Sequence, residues 1–296
     1  MTRAQHARTM KLKLACDLEY QALFPSTLIL NVHAQHNAAQ TILEEQLVIE
    51  PRIRSEALTP TGSENRFIRI ETGRTKQLHI RYRATVDCNY DLLAKEKLHT
   101  TPIAQIDSDA LQYLFPSRYC QSDRLSRLAW DLFGKIKHPY DRVLAVVDWI
   151  HDNVEYVRGS TDSQTSAYDT VTQRTGVCRD FAHLGIALCR ALNIPARYFS
   201  GYAYQLEPPD MHACFECYIE HRWLVFDATR LAHLNALVRV GTGRDAADAA
   251  VASIFGAAQF KAMKVSCELV KGERFKPLNE TQLRKRGVAL ESATGA

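Results

Sequence analysis

Three residues have the types and spacing for nucleophilic chemistry at sulfur: Cys178, His212 and Asp227. Cys178 stands where a loop containing Gly176 enters an apolar helical stretch, Arg179 to Leu192. A helix start has unpaired N–H groups and a partial positive charge, which favour a thiolate, and the thiolate is the nucleophile. The same N–H groups offer part of an oxyanion hole. His212 opens a strand, His212-Ala-Cys-Phe-Glu-Cys-Tyr-Ile-Glu220. Its period of two puts His212, Cys214, Glu216 and Tyr218 on one face. Asp227 ends the next strand, Trp223-Leu-Val-Phe-Asp227. A tight turn near His221 makes His212 and Asp227 cross-strand neighbours. A carboxylate there holds the imidazole in the right tautomer. Taken singly, each has a plainer reading: a small buried thiol, or a hydrogen-bonded surface histidine. The joint arrangement is what points to chemistry on a carbonyl.

Other residues carry weaker signals. Cys214-Phe-Glu-Cys217, with His212 and His221 nearby, invites a zinc reading. A strand separates the two thiols by three, so they face opposite sides and no metal is expected. Arg179 and Asp180 read as a structural ion pair. His183 lies five residues past Cys178, about 140° around the helix, and reads as a hydrogen-bonded core histidine. Gly241-Thr-Gly243 is too short for a phosphate loop, and no dinucleotide fingerprint exists, so no cofactor is expected. Tyr198, Phe199, Tyr202 and Tyr204 could floor a groove, but alternating aromatics in a strand are more often packing.

Residues 10 to about 92 read as strands: Lys11–Tyr20, Ser26–His33, Gln46–Ile53, Arg66–Ile70 and Gln77–Val86 alternate polar and apolar. Such spacing predicts an antiparallel β-sandwich. Residues 93–121 form a connector. Helices follow, one capped by Asp123 and one opened by Asp141. A loop spans Gly159–Ser166, then a short helix Ala167–Gln173, then the buried helix after Cys178. Asn193 and Pro195 stop that helix. Strands are expected at Ala196–Tyr204, Ala213–Glu220 and Trp223–Asp227. An Ala-rich helix, Arg244–Ser253, precedes a final strand, Gln259–Val270. The division is an accessory β-sandwich at 1–100, a core at 101–270 and a loose polar tail at 271–296.

Residues 175–204, Thr-Gly-Val-Cys178-Arg-Asp-Phe through Tyr-Phe-Ser-Gly-Tyr-Ala-Tyr204, resemble the nucleophile segment of bacterial transglutaminase-like proteins. Some of these are described as cysteine proteases. Met211-His-Ala-Cys-Phe-Glu216 and Trp223-Leu-Val-Phe-Asp-Ala-Thr229 continue the resemblance, which covers about residues 120–265. The N-terminal strands resemble the β-domain that often precedes this core. The resemblance implies an α+β, papain-like core in which a Cys-bearing helix packs on an antiparallel sheet. It implies Cys178 as nucleophile, His212 as general base and acid, and Asp227 as its orienting partner. The family usually has Trp two places after the His; here that position is Cys214, a smaller packing residue that could also alter the pocket. Related enzymes take a second oxyanion donor from an upstream side chain, and Tyr156 is the candidate here. The implied activity is a cysteine peptidase or amidase working through an acyl-enzyme. Transglutaminase-type transfer to an amine, or a non-catalytic protein-binding module, are the alternatives.

Composition sets the outer bounds. With 296 residues and 46% hydrophobic content, the chain can build a core and is not disordered. The net charge of +4 is accounted for by the stretch Lys264–Leu290, so no basic face and no nucleic-acid partner are expected. Eight cysteines at irregular spacing are too dilute for a disulfide scaffold. Met1–Tyr20 has no apolar signal region, and no run is long enough to span a membrane. The cytoplasm, with free thiols, is the expected setting. The expected partner is a peptide, protein or small amide substrate; its identity and the oligomeric state are not legible.

Overall fold

The computed structural model describes residues 8–291. The chain begins with six strands: β1 (Arg8–Ala22), β2 (Thr27–Leu30), β3 (Gln40–Glu50), β4 (Ser55–Leu58), β5 (Phe67–Glu71) and β6 (Gln77–Ala94). Along β1 and β6 every second residue is buried, Leu12, Leu14 and Cys16 on one and Leu78, Ile80 and Tyr82 on the other. That period of two faces one side of the sheet inward. Against it packs a second sheet that contributes Leu28, Leu30, Ile68 and Ile70 to the same core. This is the expected sandwich.

Helices α1 (Ser122–Phe133) and α2 (Pro139–Asn153) follow the connector. Each starts earlier than its sequence pattern suggests. Asp123 and Asp141 lie inside the first turn, where a carboxylate favours the helix dipole, and are not the caps. Pro139 supplies the preset φ at the start of α2. The next elements are β7 (Glu155–Tyr156), α3 (Ala167–Gln173), β8 (Thr175–Gly176) and α4 (Cys178–Ala191). α4 is buried from Asp180 to Arg190. It lies on a four-stranded antiparallel sheet made of β9 (Ala196–Ala203), β10 (Met211–Ile219), β11 (Arg222–Phe226) and β12 (Leu237–Gly243), in the order β11-β10-β9-β12. β12 escaped the sequence reading, because its run is interrupted by a polar arginine and two glycines. Helix and sheet approach tightly at Gly185. A Cβ there would lie 2.5 Å from the Phe215 ring, so only glycine lets α4 approach β10 this closely.

The chain then returns to its start. After α5 (Ala246–Ala249), β13 (Ala252–Phe255) pairs with β2, and β14 (Ala258–Leu269) pairs with β1 from Leu12–Leu269 to Ala22–Ala258. The accessory sandwich is therefore not confined to residues 1–100: β14, expected as a core strand, and β13, whose first residues were expected in the helix Arg244–Ser253, complete it. The expected loose tail at 271–296 is also corrected for its described part, 271–291. There α6 (Glu280–Leu283) leads into β15 (Arg286–Ala289), which pairs with Asp91–Ala94 of β6. Val288, Ala289 and Leu290 are buried, and Glu291 meets Arg197 and Arg239. A four-residue strand carries too little local pattern to be seen; its partner, nearly two hundred residues away, forms it. Among the described residues, no helix is long and apolar enough to cross a membrane.

Candidate active site

The start of α4 is built by local hydrogen bonds. β7 and β8 run parallel with Tyr156 opposite Gly176. Glu155 N–H donates to the Arg174 carbonyl at 2.8 Å, and Val157 N–H to the Gly176 carbonyl at 3.0 Å. This short ladder sets Tyr156 beside the turn that leads into Cys178. Val177 has no side-chain acceptor to cap the helix. Asp180 closes it from inside the first turn: its Oδ2 accepts Val177 N–H at 2.9 Å and the Thr161 hydroxyl at 2.7 Å. Arg179 Nη2 pairs with Asp180 Oδ1 at 2.9 Å, so the two residues act as a clamp on the helix start. Gly176 makes room for that carboxylate, since a Cβ there would lie 2.9 Å from Asp180 Cβ. The N–H groups of Cys178 and Arg179, in the first turn, are left without intrahelical partners.

His212 and Asp227 come together across the hairpin of β10 and β11. The turn, Glu220-His221, has φ of +52° and +55°, the type I′ geometry that matches strand twist. The ladder pairs Ile219 with Arg222 and Phe215 with Phe226. Continued one step, it puts Asp227 opposite Cys214, with His212 on the diagonal. His212 Nε2 lies 2.9 Å from Asp227 Oδ2, and both side chains are almost fully buried. Asp227 is held in turn. Its Oδ1 accepts Thr229 N–H at 2.9 Å and Thr229 Oγ1 at 2.7 Å, and its Oδ2 accepts Ala232 N–H at 3.1 Å.

These contacts set the electrostatics. Burial pushes the His212 pKa down, but the adjacent Asp227 carboxylate outweighs it and holds the imidazole well above its ordinary value. Burial would raise the Asp227 carboxyl, but the His212 charge and hydrogen bond keep it below the ordinary range. The Cys178 thiol lies near enough to the ring to add to that rise. With Nε2 engaged by Asp227, Nδ1 is the nitrogen left for the thiol. Cys178 is half-buried. The Tyr156 phenol neighbours Cys178, and burial, then the nearby thiol, raise its pKa. A cavity of about 240 Å³ opens beside Tyr156 and His212, lined further by Arg158, Glu207, Asp210 and Met211.

The remaining marked residues fall elsewhere. Cys214 sits beside His212 and Asp227, fully buried, and burial pushes its thiol up to about 12. Cys217 faces the other way and meets Cys189 of α4. His183 is buried, stacks on Tyr119 with centroids 5.0 Å apart, and its Nε2 accepts Ala246 N–H at 3.1 Å. Phe199 and Tyr202 are core residues, not a groove floor. Sequence reasoning missed Thr229 and Ala232, which fix Asp227. The Asp-Ala-Thr sequence was a legible signal, since an aspartate often accepts from the backbone two residues on.

Known proteins align with this architecture. Residues 10–109 match the bacterial transglutaminase N-terminal domain, and residues 126–228 match the transglutaminase-like superfamily. A candidate cysteine protease from Cytophaga hutchinsonii, known from its crystal structure, is 51% identical with a TM-score of 0.93, over 96% of this chain and 98% of that one. An uncharacterized protein of Mycobacterium leprae is 29% identical over 151 residues, which are 47% of this chain and 53% of that protein. An uncharacterized protein of Mycobacterium tuberculosis is 34% identical over 129 residues, 38% of this chain and 41% of that one. The chain spans about half the length of these curated relatives. It belongs to the transglutaminase-like superfamily, with the bacterial transglutaminase N-terminal domain preceding the core.

Proposed function

We propose that the protein is a thiol-dependent amide-bond enzyme, a cysteine peptidase or amidase, working through Cys178, His212 and Asp227. One observation carries the reading: a buried, hydrogen-bonded His–Asp pair beside a half-buried cysteine at a helix N-terminus. The Cys178 proton is held at His212 Nδ1, on an imidazolium paired with Asp227, while the sulfur attacks the carbonyl. The oxyanion forms between the Cys178 N–H and the Tyr156 hydroxyl. The C–N bond breaks, and the amine leaves with the proton from His212. His212 then takes a proton from water, which attacks the acyl-enzyme and releases the acid and the free thiol. An amine in place of water gives transamidation. Water is the default, because the cavity is open to it. The substrate is a peptide, a protein or a small amide, and the setting is the cytoplasm, where a thiol nucleophile stays reduced.

Limiting iodoacetamide near pH 7 tests the reading. Cys178 should alkylate well ahead of the other seven cysteines, and His212→Ala should abolish that advantage. Equal rates for Cys178 and an average exposed thiol would sink the proposal. An acyl-glutamine peptide offered with and without a primary amine separates the outcomes. Acid release should exceed amine incorporation, and the reverse ratio assigns transfer instead.

A further inference from the structure

We propose that His212, Cys214 and Asp227 form a binding site for a thiophilic divalent cation, zinc foremost, that competes with the His212–Asp227 hydrogen bond. The imidazole nitrogen, the thiol sulfur and a carboxylate oxygen all lie within 4.8 Å of one another, and all three residues are buried. The strand geometry makes this so. His212 and Cys214 share one face of β10, and the hairpin register brings Asp227 opposite Cys214. This is a different set from the Cys214–Cys217 pair, whose thiols face opposite sides of the strand.

The donor set suits zinc. Nitrogen, sulfur and oxygen are its three protein donor types, at about 2.0–2.3 Å from the metal. A tetrahedron of that size needs donors roughly 3.3–3.7 Å apart. The 2.9 Å contact between His212 and Asp227 must therefore open by about 0.4–0.8 Å, and the sulfur, within 4.8 Å of both groups, move inward by up to about 1.5 Å. Three protein donors leave a fourth position open. Charge balances as well. The metal dication, a Cys214 thiolate, the Asp227 carboxylate and a neutral imidazole sum to zero, so no net charge is buried. Two protons leave for solvent: one from the Cys214 thiol, and the one held between His212 Nε2 and Asp227. The proton shared by Cys178 and Nδ1 stays. The cavity that reaches His212 is the entry path.

An imidazole whose Nε2 is coordinated has lost its carboxylate partner and most of its basicity. The bound metal would then switch off proton transfer from Cys178. That consequence rests on the proposed function; the metal binding does not.

Cobalt(II) is the probe, added to the full reduced chain under anaerobic conditions. We expect one equivalent bound, a near-ultraviolet thiolate-to-cobalt band, and about two protons released per metal. Zinc should displace the cobalt. Cys214→Ser should lose the band, while Cys178→Ser should keep it. A band retained in Cys214→Ser, or lost in Cys178→Ser, overturns the proposal. X-ray absorption on the zinc-loaded wild type needs no variant: one sulfur with nitrogen and oxygen neighbours supports the site, and no sulfur, or two or more, overturns it. Iodoacetamide labelling without metal judges the proposed function separately.

Discussion

Asp227→Asn is the most informative single change, because it keeps shape and reverses polarity. In the wild type, Oδ1 accepts two hydrogen bonds from Thr229, and Oδ2 accepts from Ala232 N–H and from His212. The amide can keep Oδ1 toward Thr229. Its Nδ2 then faces both Ala232 N–H and His212 Nε2. The first contact sets donor against donor, and an unsatisfied buried N–H costs about 1–3 kcal/mol. The flipped amide is worse, since it opposes two Thr229 donors. The second contact forces Nε2 to accept, so the ring carries its hydrogen on Nδ1, toward Cys178. It can then no longer take the thiol proton. Loss of a general base removes roughly 10²- to 10⁴-fold in rate.

Two assays read this change. The rate of Cys178 alkylation near pH 7 should fall by at least about 100-fold. The melting temperature should fall by roughly 2–12 °C, taking about 2–4 °C per kcal/mol as for large domains. The pH dependence is also fixed in sign. Asp227 lies below its ordinary 3.8, so its stabilisation is present above that value and is lost as pH falls through the folded pKa. His212 lies above its ordinary 6.5, so its stabilisation is full below 6.5 and is lost as pH rises through the folded pKa. The ion pair therefore stabilises the fold between 3.8 and 6.5 and some way to the alkaline side. In the Asn variant this part of the stability profile should flatten. Wild-type alkylation speed in Asp227→Asn would refute the orienting role outright.

Two further outcomes are expected. Tyr156→Phe should leave Cys178 alkylation near wild type but lower turnover by roughly 10²- to 10³-fold, as for loss of one oxyanion donor; unchanged kcat excludes the phenol from the site. Truncation after Val270 removes β15 and exposes the edge of β6, besides deleting the Glu291 partner of Arg197 and Arg239. It should lower the melting temperature sharply or yield insoluble protein, and a wild-type melt would show that the segment is the loose tail its composition suggests.

What the sequence disclosed depended on the range of the forces involved. Cys178 at a helix start, the short helix Ala167–Gln173 and the hairpin at His221 are set within a few residues, and their signals are local. The partners of β13, β14 and β15 lie some two hundred residues away, and no local period reveals them. Tertiary pairing also rewrote the significance of a short apolar run. Val288, Ala289 and Leu290 follow three basic residues and look solvated, yet burial against β6 outweighs that composition.

The site itself shows the same division at a finer scale. The spacing of His212 and Asp227 suggested direct cross-strand neighbours. The register instead pairs Asp227 with Cys214 and reaches His212 along the diagonal. A diagonal contact is longer at the backbone, and an imidazole is long enough to span it. Cys214, small and fully buried, holds the position directly opposite the carboxylate, where the resemblance implies an aromatic residue. The same smallness leaves its sulfur beside the two groups that would accept a metal.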